Sequence, residues 1–292
     1  MVVITQEQAA EKLSPVFQGR KGKLLFHLAS RITGIDKVNA LHDRLDRAGT
    51  SYGPDFAKGF LDDCGVDFRI GDPQRIDTLP EGPFIVIANH NYGHLDGICL
   101  LDLIGHARPE TKVIVNELLL WIHGLAPSFI AVNPTVTERT GASATSINGV
   151  RNALLQLRNG EPLCLFPSGA VADVKPREHW ALHERDWQDA AIRLIRKARV
   201  PVVPVRFFDR NSRFYYALGL IDYRVRLVRL CHELFNKRGT HPRLGIGAPI
   251  PVEEQDKYTD LQAFKAFLRS SVHDMPLPER FVNRSELWKS RK

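Results

Sequence analysis

Residues 85–97 read IVIANHNYGHLDG, and they decide the fold because they join a short apolar run to a cluster of polar groups. Residues 84–88, FIVIA, follow the turn DTLPEGP and carry almost no polarity, which is the signature of a strand buried on both faces. Asn89, His90, His94 and Asp96 come directly after it. Open α/β sheets gather their ligands there, at the carboxyl ends of their strands.

Outward from this point the pattern repeats. Helices are expected over 97–107 (GICLLDLIGHA), 118–124, 143–158 and 186–198, and strands over 112–115, 129–132, 162–166 and 200–205. The helix over 143–158 is amphipathic, with serines and a threonine near its start and Gly160 just past its end. This alternation predicts an α/β fold: a single domain with a mainly parallel sheet flanked by helices. Pro201 and Pro204 place the strand over 200–205 near an edge, or leave it only partly laddered. Further strands are expected over 224–230 and 244–246, and a helix over 258–275. Residues 6–49 read as helical pieces punctuated by Gly19, Gly22 and Gly34. The chain therefore divides into an N-terminal helical segment (1–50), a main domain (51–275) and an exposed C-terminal tail (276–292), with no internal repeat.

Forty Lys and Arg against thirty-three Asp and Glu leave a net charge of +7 over 292 residues, a balance that favours anionic partners. The basic residues lack the aromatic interleaving of a single-strand binding platform, so nucleic acid is not an expected partner. Cys64, Cys99, Cys164 and Cys231 form no CxxC pair and sit mostly in apolar runs, as buried thiols of a reduced compartment do. The N-terminus MVVITQEQAAEKL has no basic region followed by an apolar core, so no secretory signal is expected. The greasiest region, 113–132, is broken by Asn116, Glu117, His123, Gly124 and Pro127 and fits a spanning helix poorly. Work at a membrane would then be done from one side. KGKLLFHLASRITGI, residues 21–35, mixes apolar and basic side chains; it reads either as a core helix with a solvated edge or as a headgroup contact.

A histidine after a strand end can take a proton from a hydroxyl, because imidazole titrates near the working pH. Asp96, six residues on, can fix its tautomer from the other ring nitrogen. No serine or cysteine stands in a nucleophile elbow, which favours direct attack by the acceptor. Two other readings of these residues alone remain: a structural histidine, and a metal cluster of His90, His94 and Asp96. In LCLFPSGAV (163–171), Phe166-Pro167-Ser168-Gly169 is either a sharp loop or a turn whose backbone N–H groups meet a carbonyl or anionic oxygen.

The stretch around His90 resembles the His-Asp box of the PlsC-like glycerophospholipid and lysolipid acyltransferase superfamily, usually Asn-His, four residues, then Asp. Here five residues separate His90 from Asp96, and the text is closer to the bacterial hemolysin-like branch that acylates lyso-ornithine or lyso-glycine lipids. Tyr92, Gly93, Asp96 and Gly97 match that branch, and Asn91 stands where proline is frequent. Phe166-Pro167-Ser168-Gly169 resembles the superfamily's Phe-Pro-Glu-Gly box and the branch's Phe-Pro-Ala-Gly version, with Ser168 in place of the carboxylate. The middle box usually carries an arginine suited to a glycerol-phosphate acceptor; here Ala131, Val132 and Asn133 occupy its place, and a valine cannot grip phosphate as a guanidinium does. Arg139, in the following loop, is a substitute to test. VPVVPVRFFDRNSRFYYALG again looks like the branch, as does LCHELFNKRG.

The resemblance, which runs from about residue 60 to 251, implies an acyltransferase domain over 51–275. It implies transfer of a fatty acyl group from an acyl carrier protein or coenzyme A thioester to the hydroxyl of a lyso-aminolipid or related lysolipid, with no permanently bound cofactor or metal. His90 and Asp96 are the implied base and its orienter, and Asn89, Ser168 and Gly169 the oxyanion or substrate-positioning groups. Phe166, Pro167, Arg139, Arg206, Asn211, Arg213, Lys237 and Arg238 are the implied donor or acceptor contacts. Phe207, Phe208, Phe214, Tyr215 and Tyr216 either wall an acyl groove or fill core and surface. The implied seat is the cytoplasmic face of an anionic membrane. Three rivals are carried forward: 1-acylglycerol-3-phosphate acylation, a non-catalytic lipid-binding or lytic protein, and thioester hydrolysis by water.

Overall fold

The computed structural model describes residues 4–12, 14–133, 144–175, 178–221, 226–227 and 229–289. Its strands, in chain order, are β1 (Arg69–Gly71), β2 (Ile85–Ala88), β3 (Lys112–Asn116), β4 (Phe129–Val132), β5 (Leu163–Leu165), β6 (Asp173–Lys175), β7 (Ala181–His183), β8 (Val202–Phe207), β9 (Arg243–Ile246) and β10 (Phe281–Asn283). Eight of them form one sheet in the order β10-β1-β9-β8-β2-β5-β3-β4, while β6 and β7 form a separate antiparallel pair. From β8 through β4 every pairing is parallel; β9 runs antiparallel to β8, and β10 antiparallel to β1. The expected mainly parallel α/β architecture is therefore present, with a mixed extension on one side.

β2 is apolar throughout because both of its faces are covered. Val86 and Ala88 enter one core with Phe56, Phe60, Leu101 and Ile104, while Ile85 and Ile87 enter a second with Ile192, Ile195, Phe264 and Leu268. At roughly 2 kcal/mol for each fully buried side chain of this size, such two-sided burial fixes β2 at the middle of the sheet. The helix His94–Ala107, buried along most of its length, covers the first face directly after the polar loop.

Three expectations need correction. The strand after Val200 is not at an edge but central, pairing with β2 on one side and β9 on the other, while the other reading of its prolines, a strand only partly laddered, holds. Its prolines are tolerated because Pro201 precedes the strand and Pro204 lies in a break of the β9 ladder. Val205 pairs with Ile246 and Val202 with Ile250, so three residues oppose two. Gly247 fits there against the Pro204 ring, where a Cβ would come within 2.6 Å of Cγ.

Residues 224–230 are no strand where they are described: Arg226 and Leu227 are helical and Leu230 opens the helix Leu230–Phe235. A fully buried arginine at 226, bonded to two carbonyls, sets this segment against the β6 end rather than in a sheet.

The tail is not an exposed extension either. β10 completes the sheet edge, Leu287 joins the core, and buried Arg284 pairs with Asp62 and, at 3.4 Å, with Asp102. At the other end, residues 6–49 are helical as expected, in Gln6–Lys12, Gly19–Thr33 and Ile35–Arg47.

Candidate active site

The loop after β2 is held by amide side chains. Asn89 Oδ1 accepts the Phe207 N–H at 2.7 Å and its Nδ2 donates to Phe207 O at 2.9 Å, so the side chain extends the β2–β8 pairing past the strand end. Asn91 Nδ2 donates to the carbonyls of Phe207 and Asp209, at 2.9 Å each. From the other side Asn211 Nδ2 donates to Tyr92 O at 3.2 Å. All three are buried, so Asn89 and Asn211 brace the loop and do not present their amides to a substrate. Unbraced, these buried backbone groups would each cost about 1–3 kcal/mol.

The braced loop sets His90 against Asp96. His90 Nδ1 lies 2.9 Å from Asp96 Oδ2, with the imidazole partly open and the carboxylate fully enclosed. The five-residue spacing is accommodated by Gly93, whose φ of 82° turns the chain into the helix. Only glycine fits, since a Cβ there would lie 2.8 Å from Leu230 Cδ2. Asp96, in the first turn, also accepts the N–H groups of Tyr92 and Gly93 at 2.8 and 3.0 Å, as a capping carboxylate does. Burial pushes its carboxyl up, against the downward pull of the His90 contact and these two N–H groups. With Oδ2 fixed, an Nδ1–H donor leaves Nε2 of His90 as the proton-accepting atom. His94 is placed elsewhere, with Nδ1 4.0 Å from Cys231 Sγ, and burial, then the neighbouring His90, lowers it to about 4.

The Phe-Pro-Ser-Gly turn packs on the same loop. Phe166 stacks on His90, and the Ala172 N–H donates to His90 O at 2.7 Å. Gly169 has a φ of 63°, and a Cβ there would meet Gln188 Nε2 at 2.1 Å. Its N–H donates to Phe166 O at 3.0 Å, while Pro167 O accepts from Gln188 N at 2.9 Å. The buried Ser168 hydroxyl donates to Ala170 O at 3.1 Å. Arg226 secures the far end of the turn, donating to Val171 O and Ala172 O at 3.1 Å each and pairing with Asp173 at 2.9 Å.

The remaining expected contacts divide sharply. Lys237 is buried, paired with Glu233 at 3.0 Å and placed over the Tyr92 ring, so it supports the loop from behind. Arg206 donates to Met275 O and Arg238 to Asp63 O, so both guanidinium groups are engaged with backbone carbonyls of the chain itself. Arg213 is exposed on the helix Arg213–Ile221. Arg139 lies outside the described residues. In the middle box, Asn133 Nδ2 faces Glu117 Oε1 at 3.4 Å. Of the aromatic group, Phe207, Tyr215 and Tyr216 are core, and Phe214 is on the surface.

Sequence reasoning missed Glu184. Its buried carboxylate accepts the His90 N–H at 2.8 Å through Oε1, and through Oε2 the Trp187 Nε1–H at 2.9 Å, with His273 Nε2 at 2.8 Å from the same oxygen. Burial alone would raise this carboxyl, but His273, Trp187 and the His90 N–H together hold it below the usual range. The available signal was Glu184 placed three residues before a tryptophan in otherwise polar text. Arg226 and Asn91 were also missed, and neither type announces burial.

A family model described as Acyltransferase matches residues 52–275. A lyso-glycine lipid O-acyltransferase of Bacteroides thetaiotaomicron is 26% identical over 262 residues, covering 87% of this chain and 90% of its own. Another of the same name, from Phocaeicola vulgatus, is 26% identical over 275 residues, covering 91% and 94%. Among solved structures, the 1-acyl-sn-glycerophosphate acyltransferase of Thermotoga maritima aligns over 99% of this chain and 95% of its own, with a TM-score of 0.45 and 14% identity.

Proposed function

The chain belongs to the PlsC-like glycerophospholipid and lysolipid acyltransferase superfamily and is an acyl-transferring enzyme; from that premise we propose that its acceptor is the hydroxyl of a lyso-aminolipid. The donor in this reading is an acyl carrier protein or coenzyme A thioester. The observation that carries it is the 2.9 Å contact between His90 Nδ1 and buried Asp96 Oδ2, which leaves the outward imidazole nitrogen as base.

In the proposed reaction His90 Nε2 takes the acceptor's hydroxyl proton while the hydroxyl oxygen attacks the thioester carbonyl carbon. Asp96 keeps the proton on Nδ1 and stabilises the imidazolium that forms. The tetrahedral oxyanion is met by a backbone N–H of the 166–169 turn, in which Pro167 has none to offer. Since the Gly169 N–H is engaged with Phe166 O, the Ser168 N–H is the preferred donor. Collapse breaks the carbon–sulfur bond, and the leaving thiolate takes the proton from His90. No covalent acyl-enzyme is needed.

Two features support an acceptor without a glycerol-phosphate headgroup. Ala131, Val132 and Asn133 stand where a phosphate-gripping arginine is usual, and both curated relatives carry the lyso-glycine lipid name. The reading includes a peripheral seat on the cytoplasmic face of a membrane. No helix among the described residues is long and apolar enough to cross one. On the helix Gly19–Thr33, however, Leu24, Leu28 and Ile32 recur every four residues with 74%, 56% and 60% exposure, among Arg20, Lys21, Lys23 and Arg31.

The test is transfer of labelled acyl groups from both thioester donors to a panel of lysolipids, by the intact protein and by His90→Ala. Acylated aminolipid that disappears in the variant is the expected result. Preference for lysophosphatidic acid would retain the chemistry and replace the acceptor. Thioester consumption without a lysolipid would point to hydrolysis, and absence of any turnover by the folded protein on membranes would favour a lipid-binding role.

A further inference from the structure

Both backbone groups of His90 are clamped by residues remote in sequence. Its carbonyl accepts the Ala172 N–H at 2.7 Å, and its N–H donates to Glu184 Oε1 at 2.8 Å. A backbone N–H is ordinarily satisfied by another backbone group, a side-chain amide or water. A buried carboxylate in that role is costly unless several donors meet it. Three do here: Oε1 takes His90, while Oε2 takes Trp187 Nε1 and His273 Nε2.

These partners come from separate parts of the fold. Glu184 immediately follows β7, Trp187 precedes the helix Asp189–Ala198, and His273 ends the helix Leu261–His273. Trp187 is itself fully enclosed in the core formed by those helices. The carboxylate therefore ties the polar loop, near Asp96, to the core on the opposite face of the sheet.

We propose that Glu184 is a positioning residue for the acyl-transfer reaction, held by His273 and Trp187, and that it fixes the His90 backbone so that the imidazole stays on Asp96 and Nε2 faces the substrate. The inference rests on His90 being the base. Without Glu184 the His90 N–H must find another partner, and the loop between Asn89 and Gly93 shifts by a fraction of an ångström to reach one. Misplacement on this scale at a reacting group slows turnover by up to about 100-fold and leaves KM near its wild-type value, as loss of an interaction made only in the transition state does. Glu184→Gln keeps an acceptor oxygen for His90 but opposes an NH2 group to the Trp187 donor, so its loss falls between wild type and Glu184→Ala. His273→Ala leaves the Glu184–His90 contact in place and loosens it, giving a smaller loss in the same direction.

The experiment is steady-state acyl transfer, with donor and acceptor varied in turn, for Glu184→Gln, Glu184→Ala, His273→Ala, His90→Ala and the Glu184→Gln/His90→Ala double variant. Circular dichroism establishes folding, and rates are taken per folded protein. The expected result is lower kcat with near-constant KM in the order His273→Ala, Glu184→Gln, Glu184→Ala. In the His90→Ala background, Glu184→Gln should have no further effect on residual turnover. Should Glu184→Ala fail to fold, the other two single variants and the cycle carry the same comparison. Unchanged kcat in folded Glu184→Gln and His273→Ala, or an undiminished Glu184→Gln effect without His90, would overturn the proposal. Full turnover by His90→Ala would instead overturn the base assignment beneath it.

Discussion

Phe166 lies against His90 with ring centroids 4.3 Å apart and planes inclined by 25°, so the two polar boxes of the sequence meet through their side chains. The stack restrains the imidazole on the side that neither Asp96 nor the loop amides control. A partly buried aromatic ring in this position serves stability and orientation together.

Replacing Phe166 separates these contributions. Phe166→Leu should retain most of the packing, while Phe166→Ala should destabilise by about 2 kcal/mol, less than a fully buried phenylalanine. Both should lower kcat, by about 10-fold or more, since both remove the flat face against His90. Urea unfolding with rates measured on the same preparations checks this; a leucine variant with wild-type kcat would show that bulk alone positions the ring.

Asp96→Asn should separate activity from stability. Burial raises the Asp96 carboxyl above its ordinary value. A carboxyl raised in the folded state adds stability below its unfolded pKa and loses that contribution as pH rises through the folded pKa. At neutral pH the ionised group therefore destabilises, and Oδ1 has no hydrogen-bond partner to offset it. The variant should equal or exceed wild-type stability at pH 8, with its relative advantage narrowing in acid. Transfer should fall by about 10³–10⁴, because an amide no longer fixes the tautomer or balances the imidazolium. Unfolding midpoints at pH 8 and pH 4, beside turnover, test both halves.

Much of this site was legible before the fold was known. The apolar run over 84–88, the polar cluster after it and the proline-glycine turn near 167 each carry a local signal, of burial, strand-end chemistry and turn geometry. What was illegible is held by long-range contact. Arg206 and Lys237 look alike as surface cations in a sequence, but one donates to Met275 O and the other is enclosed with Glu233. For Pro201 and Pro204 the sequence leaves two readings, an edge strand or one only partly laddered, and local rules do not reveal that the second applies, with the β9 ladder broken opposite Pro204. The tail was misread for a similar reason: Arg284 counts as a soluble residue until Asp62 and Asp102 are placed around it.

That placement makes Arg284→Met a test of the tail. Burial raises the Asp102 carboxyl to about 6, against the attraction of Arg284 and His106. Without the guanidinium, ionised Asp102 loses its main compensation, and a broken buried pair typically costs about 3–5 kcal/mol. Because Asp102 is raised, the penalty belongs to its ionised form and recedes as pH falls below about 6. The stability deficit of Arg284→Met should be larger at pH 8 than at pH 5. Equal deficits would assign the effect to lost packing alone.

Membrane attachment should depend on the stripe Leu24, Leu28 and Ile32. Replacing all three with serine removes about 1 kcal/mol or more per side chain of lipid burial. Cosedimentation with vesicles containing anionic lipid should drop accordingly, and added salt should weaken the remaining binding by screening Arg20, Lys21, Lys23 and Arg31. Turnover of a short-chain, water-soluble acceptor should persist. Undiminished vesicle binding would move the membrane contact to another face.

His94, near His90 in sequence and in the first turn of the following helix, should act on acid stability rather than turnover. Burial, assisted by the nearby His90, lowers its pKa to about 4. The unfolded chain takes a proton near 6.5, so the contribution of neutral His94 is complete above that pH and is lost as pH falls through the folded value. The whole interval corresponds to at most about 3 kcal/mol. His94→Gln cannot take that proton and should resist acid better, its urea midpoint gaining on wild type between pH 7 and pH 4. Acyl transfer should largely survive, because the 2.9 Å contact with Asp96 belongs to His90. If His94→Gln instead stops transfer while its fold and the His90–Asp96 contact remain intact, the outward nitrogen of His90 is not sufficient as base and His94 shares the proton.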